Sequence, residues 1–145
     1  MARRRGKWEG GRMIIKTRMA KEAIVRINNQ PGALARVTKS VADKGINIEA
    51  VIATAEGADA VIRLVTSDHQ RTVNTLREQQ LEVQETKVVV VEALHRPGLL
   101  QHITEKLARE NMDLFYLYAT AAEADKCLVV LSSTNNEWAV MVLNS

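Results

Sequence analysis

One motif occurs twice in this chain, and it constrains the fold more than any other feature. Asn29-Gln30-Pro31-Gly32-Ala33-Leu34 returns 66 residues later as His95-Arg96-Pro97-Gly98-Leu99-Leu100. Each copy follows an apolar, β-branched run (Ala23 to Ile27; Val88 to Val91) and precedes a helix-period pattern, so each Pro-Gly falls where a strand turns into a helix. Pro presets φ near the start of that helix, and Gly allows a tight turn or the close approach of a ligand to the backbone. Such a turn leaves the first amide N–H groups of the helix without intrahelical partners, a place suited to a carboxylate or phosphate. Most strand-to-helix turns of this kind bind nothing, so the turn alone does not define a site.

The repetition extends well beyond the motif. A gapless shift of 66 sets Val37 on Ile103, Val41 on Leu107, Ala53-Thr54-Ala55 on Ala119-Thr120-Ala121, and Ile62-Arg63-Leu64-Val65 on Leu128-Val129-Val130-Leu131. A match this long implies an internal duplication of one supersecondary unit. Within the first copy, Ala23 to Ile27 reads as a strand, and Leu34, Val37, Val41 and Ala42 form a helical stripe ending at Gly45. Ile46 to Ile52 and Ala60 to Val65 read as a hairpin around Glu56-Gly57-Ala58-Asp59. Ser67-Asp68 caps a second helix facing inward through Val73 and Leu76, and Leu81 to Lys87 is a fourth strand. The order is β-α-β-β-α-β.

The expected fold is therefore α+β, two ferredoxin-like βαββαβ units in tandem, each an antiparallel sheet with its helices on one face. Residues 1–21 read as a disordered basic tail, 22–87 as the first unit and 88–145 as the second. Glu9-Gly10-Gly11 upstream of Met13 resembles an encoded ribosome-binding stretch, which makes Met13 an alternative start. The 66-residue offset puts the last strand of the second unit at position 147, beyond Ser145, so that unit is expected to lack its last strand. A fragment end or an edge covered by another subunit would explain this. Val61 and Val65 alternate with Ile62 and Leu64, so both faces of the sheet carry aliphatic groups.

Composition narrows the function. With one Phe, two Tyr and two Trp, rows of stacking rings for nucleic acid are excluded, including the aromatic strands an RNA-recognition sheet needs. Residues 1–22 carry eight basic groups against two acidic, so the rest of the chain is net negative despite an overall +3. That is a poor electrostatic surface for nucleic acid. A single Cys127 and three His without ligand spacing give no disulfide and no metal framework. No run is long enough to span a membrane, and the expectation is a cytoplasmic protein. No nucleophile–base, paired-carboxylate or phosphate-loop constellation recurs at either turn, which disfavours an enzyme.

With the loops, the helix end Gly45-Ile46-Asn47-Ile48 and its copy Asn111-Met112-Asp113-Leu114 in view, the chain resembles a tandem ACT domain protein from Ala23 to about Leu143. That family of regulatory modules accompanies enzymes of amino-acid metabolism. The second copy departs from the family pattern at His95, where the first has Asn29, and at Asn111, where the first has Gly45; Asn also accepts left-handed geometry. The resemblance implies no catalysis, no cofactor, and binding of a free amino acid or similar small effector at an interface between two such units.

The candidate site residues are then Asn29, Gln30, Pro31, Gly32, Ala33, Leu34, Asn47 and Ile48 in the first copy. Those of the second are His95, Arg96, Pro97, Gly98, Leu99, Leu100, Asp113 and Leu114. Amides at Gly32, Ala33 and Leu34 would hold a carboxylate, Asn29 and Asn47 would orient an amino group, and Asp113 would meet an ammonium. The first site is expected to bind more tightly. The plainer readings are a backbone cap for Asn47, a structural His95 and a solvated Arg96. The partner is expected to be a second copy, an enzyme or a regulator. The alternative is a ligand-independent interaction module resembling the glycine-cleavage repressor, or a detached enzyme regulatory subunit.

Overall fold

A computed structural model describes residues 12–145. Expectations about residues 1–11, including most of the basic tail, lie outside the described residues. Those described form six strands and four helices, β1 (Ile14–Asn28), α1 (Ala33–Ala42), β2 (Ile48–Glu56), β3 (Asp59–Thr66), α2 (His69–Glu78), β4 (Glu82–Leu94), α3 (Leu99–Arg109), β5 (Leu114–Glu123), β6 (Lys126–Ser133) and α4 (Asn136–Asn144). They divide into two compact units. One is contiguous, Ala20–Lys87; the other is split, joining the segment up to Met19 to Val88–Ser145.

In the contiguous unit the strand order is β2-β3-β1-β4, with β1 and β4 contributing Ala20–Asn28 and Glu82–Lys87. Asp59 to Leu64 of β3 run antiparallel to Asn28 back to Ala23. Helices α1 and α2 press Val37, Val41, Val73 and Leu76 onto Val25, Ile62 and Leu64, all fully buried. Each such side chain contributes roughly 1.5–3 kcal/mol by leaving water. The helical stripe differs from the expected one. Leu34 is 43% exposed and Ser40 is buried in its place, its hydroxyl donating to the Arg36 carbonyl at 2.8 Å.

The split unit repeats the pattern in the order β1-β4-β6-β5. Ile103, Leu107 and Leu143 from α3 and α4 cover Val89, Val91, Val129 and Leu131. The expected gap at its fourth strand, ascribed to a fragment end or to another subunit, is not left open by the chain. That position is filled by Ile14–Met19, with Ile14 3% exposed in the core and Met13 and Met19 packed against it. Residues 14–21, read from charge as a tail, are thus strand. Successive side chains of a strand point to opposite faces, and Lys16 and Lys21 are exposed positions of this one. Likewise β4 is one strand of 13 residues where the sequence suggested two, because no turn residue separates Lys87 from Val88.

The alternating faces also carry buried aliphatics. Val61 and Val65 in one unit, and Val88, Val90 and Val130 in the other, are at most 3% exposed. Glu22, fully buried, is held by Arg63 at 3.0 Å, and removing one partner of a buried ion pair is strongly destabilising.

The gapless offset fails at one place. The β5–β6 ladder shifts register between Ala121 and Glu123, a one-residue bulge after which the copies are 67 apart. Ile62 therefore corresponds to Val129 and Leu64 to Leu131, the pairs that occupy the two cores. A one-residue slip would have turned each of these side chains to the opposite face.

Candidate functional site

Each Pro-Gly turn has the same backbone. Gly32 and Gly98 precede α1 and α3 at φ 88° and 90°, in the left-handed region that favours glycine. A Cβ added at either meets nothing within 4 Å, so backbone conformation and not space demands the residue. The Ala33 amide donates to the Gln30 carbonyl at 3.0 Å, and Leu99 to Arg96 at 3.1 Å. Of the three amides expected to hold a carboxylate, Ala33's is therefore spent closing the turn. The next first-turn amides, Leu34 and Ala35, face the same end without intrahelical acceptors.

The loops are tied to the hairpin tips. Asn29 N–H donates to the Ala58 carbonyl and His95 N–H to that of Asp125, both at 2.8 Å. In the contiguous unit, Arg26 grips the hairpin through Glu56 and Asp59, each at 3.3 Å. In the split unit that role passes to Arg96, which lies 3.1 Å from Asp125 and also donates to the His95 carbonyl. Arg96 is thus a loop-to-hairpin brace where the sequence suggested a solvated side chain.

Between loop and hairpin each unit has a cleft. That of the contiguous unit, about 280 Å³, brings together Asn29, Gln30, Gly32, Ala33 and Leu34, with Ala53, Thr54 and Ala55 of β2 opposite and Ala60 and Ile62 below. That of the split unit is larger, about 430 Å³. It gathers His95, Arg96, Gly98, Leu99 and Leu100 against Ala119, Thr120 and Ala121 of β5, with Cys127 and Val129 beneath. Leu34 and Leu100 stand 43% and 46% exposed at the rims, which explains why they left the helical stripe.

The other expected site residues lie elsewhere. Pro31 and Pro97 are exposed on the turns but line neither cleft. Ile48 and Leu114 pack against the cores of their units. Asn47 donates its backbone N–H to the Ser67 hydroxyl at 3.0 Å and accepts from the Ser67 amide at 2.9 Å, and Asp113 repeats this with Thr134. Asn47 lies just before β2, six residues from Ala53, about 20 Å at strand rise. It cannot reach its own unit's cleft. The hairpin residues lining the clefts were not assigned to the site from sequence. Their signal was the repeated Ala-Thr-Ala, whose small side chains leave room.

Burial pushes the Cys127 thiol above its usual range, so it stays protonated at neutral pH. Away from the clefts, burial and then Lys106 and Arg109 lower the pKa of His102, with Glu105 opposing them. Among the described residues no group of three or more His, Cys, Asp or Glu is placed to hold a metal ion, and no helix is long and apolar enough to cross a membrane.

Residues 24–86 match the family model of the AHAS small subunit-like ACT domain. No curated protein matches the chain. Among solved structures it is similar to protein BT0572 from Bacteroides thetaiotaomicron, at 25% identity and a TM-score of 0.81, covering 88% of each chain. It shares a fold with the ligand-free regulatory subunit of aspartate kinase from Thermus thermophilus, at 14% identity and a TM-score of 0.63, covering 92% of this chain and 97% of that one. Aspartate kinase of Clostridium acetobutylicum, described as an allosteric enzyme, matches at 13% identity and a TM-score of 0.55, over 91% of this chain but 34% of its own. The family match spans β1 to β4 and the same strand order is repeated in the split unit, so the fold of the chain is that of two ACT-like, ferredoxin-like units in tandem.

Proposed function

We propose that this is a non-catalytic regulatory protein that takes up a free amino acid at its loop–hairpin clefts and alters contact with a partner enzyme of amino-acid metabolism in response. The observation that carries the reading is the repetition of one device: a left-handed glycine turn opening onto a cleft in both units. First-turn helix amides suit a carboxylate. The Asn29 amide oxygen and Thr54 hydroxyl suit an ammonium, and the alanines of β2 or β5 accept a compact side chain. Asn47 and Asp113 join such a site only from another unit or a second copy, because each is far along its strand from its own cleft.

The partner assignment draws on likeness to the regulatory subunit of aspartate kinase from Thermus thermophilus and to an aspartate kinase described as allosteric. That is support at the level of fold. A thermal-shift screen of the twenty amino acids, followed by titration calorimetry, tests the reading. One or a few should raise the melting temperature, since a ligand at 100 times its Kd adds about 2.7 kcal/mol. Absence of heat with every amino acid at millimolar concentration overturns it.

A further inference from the structure

The split unit carries another cavity, of about 440 Å³, apart from its loop–hairpin cleft, and every residue lining it belongs to that unit. Ile14 and Leu143, both in the unit's core, give it an apolar wall with Met13 beside them; Arg12, His102 and Lys106 give it a polar one. His102 and Lys106 stand one turn apart on the same face of α3. Arg12 Nη2 donates to the Asn144 carbonyl at 3.2 Å, and Lys106 Nζ to the main-chain oxygen of Ser145 at 2.9 Å. Each cation keeps further donors, since both groups are multiple donors. Among the described residues neither is ion-paired with a side-chain carboxylate. The positive charge is felt at His102: burial, then Lys106 and Arg109, hold its pKa below the ordinary value, with Glu105 opposing them. Glu105 is itself engaged by Arg109 at 4.0 Å and Gln101 at 3.0 Å.

Capping the end of the neighbouring helix does not account for this set. In the contiguous unit Arg36, at the position of His102, donates to the Gln79 carbonyl just past α2 at 3.1 Å, and such a contact satisfies an orphan carbonyl. There the position of Lys106 is held by Ser40, buried and bonded to its own helix. The split unit instead sets two cations and an imidazole around an apolar recess. We infer that this cavity is a further ligand site, which takes a phosphate monoester with a compact apolar body: the phosphate between Arg12 and Lys106 beside His102, the body against Ile14 and Leu143. A phosphate monoester brings a charge of about −1.5 to −2 at neutral pH and three strong acceptor oxygens. Those match a guanidinium that binds phosphate bidentately and an ammonium that meets it as a point charge. A single carboxylate offers half the charge to the same donors.

Titration of the full chain with phenyl phosphate, read by NMR at the ring signals of His69, His95 and His102, tests this. The probe carries no amino group, so the outcome is independent of amino-acid uptake at the clefts. His102 should shift saturably and its titration should move upward, because the anion offsets Lys106 and Arg109; His69 and His95 should stay in place. Lys106→Ser, which installs the contiguous unit's residue, and Arg12→Gln should each weaken binding about tenfold or more, by loss of a charged hydrogen bond, while Lys106→Arg keeps it. If Lys106→Ser fails to fold, Arg12→Gln carries the comparison. Inorganic phosphate, without the apolar body, and benzoate, without the second charge, should each bind about tenfold more weakly. Equal affinity for either overturns the assigned ligand class. A shift at His95 in place of His102, no saturable shift at all, or unchanged affinity in the folded variants overturns the site and leaves Arg12 and Lys106 as helix caps.

Discussion

The contiguous and split units repeat one pattern but are closed in different ways. In the first, all four strands come from 68 consecutive residues, Ala20–Lys87. In the second, the edge strand comes from the opposite end of the chain, and its Thr17 is clamped by Asn144 across 127 positions. The clefts diverge in parallel. Ala33, Ala60 and Ile62 in one are Leu99, Cys127 and Val129 in the other, and the split unit's cleft is the larger. Backbone geometry at the turn was kept while closure and lining changed, because a left-handed turn tolerates few residues and a cleft wall tolerates many.

The sharpest way to break this contrast is to remove the remote strand. A chain beginning at Ala20 loses Ile14 and the packing of Met13 and Met19, and should lose roughly 4–6 kcal/mol of stability from the split unit. Amide exchange should show protection lost across β4, β5 and β6, whereas a chain beginning at Met13 melts as the full chain does. Equal melting of the two truncations would mean that Ile14–Met19 does not close the unit.

The turns should respond alike. Gly32→Ala and Gly98→Ala each cost about 1–2 kcal/mol in denaturant unfolding, from left-handed strain alone. Unequal costs would show that the two turns are not equivalent. For ligand contact the prediction separates the units. Asn29→Ala should weaken amino-acid binding about tenfold in one cleft, by loss of a polar contact. Alkylation of Cys127, the only cysteine, reports on the other and should slow when that cleft is filled. Protection of Cys127 that vanishes in Asn29→Ala would mean a single shared site.

Two smaller effects concern the split unit. The Thr17 hydroxyl is buried and finds no hydrogen-bond partner among the described residues, so Thr17→Val should raise stability by up to about 1 kcal/mol. His102 has a lowered pKa in the folded state. As pH falls below about 6.5, the unfolded chain takes up the proton first, and stability should decline. His102→Gln should flatten that part of the melting temperature–pH curve, and an unchanged slope would assign it to other groups.

Much of this was legible in the sequence because it is local. The Pro-Gly turns, the Asp68 cap accepting from Arg71 N–H at 3.2 Å, the inward Val73 and Leu76, and the positive φ of Gly45 and Asn111 follow from residue chemistry within a few positions. The duplication supplied the strand order twice. Cleft membership was only half legible. The loops were named, but the opposing Ala53-Thr54-Ala55 and Ala119-Thr120-Ala121 come near them only through the hairpin, and Asn47 lies far from the cleft of its own unit.

What the tertiary structure alone decided is long-range. Ile14–Met19 became a strand because β4 offered it a ladder and α3 and α4 a core, neither of which its charged sequence announces. The bulge between Ala121 and Glu123 was chosen by the need to turn Val129 and Leu131 inward, a demand set by packing against Ile103 and Leu107. Propensity and turn chemistry act over a few residues, whereas strand pairing and burial are settled by partners that the chain meets only once it has folded.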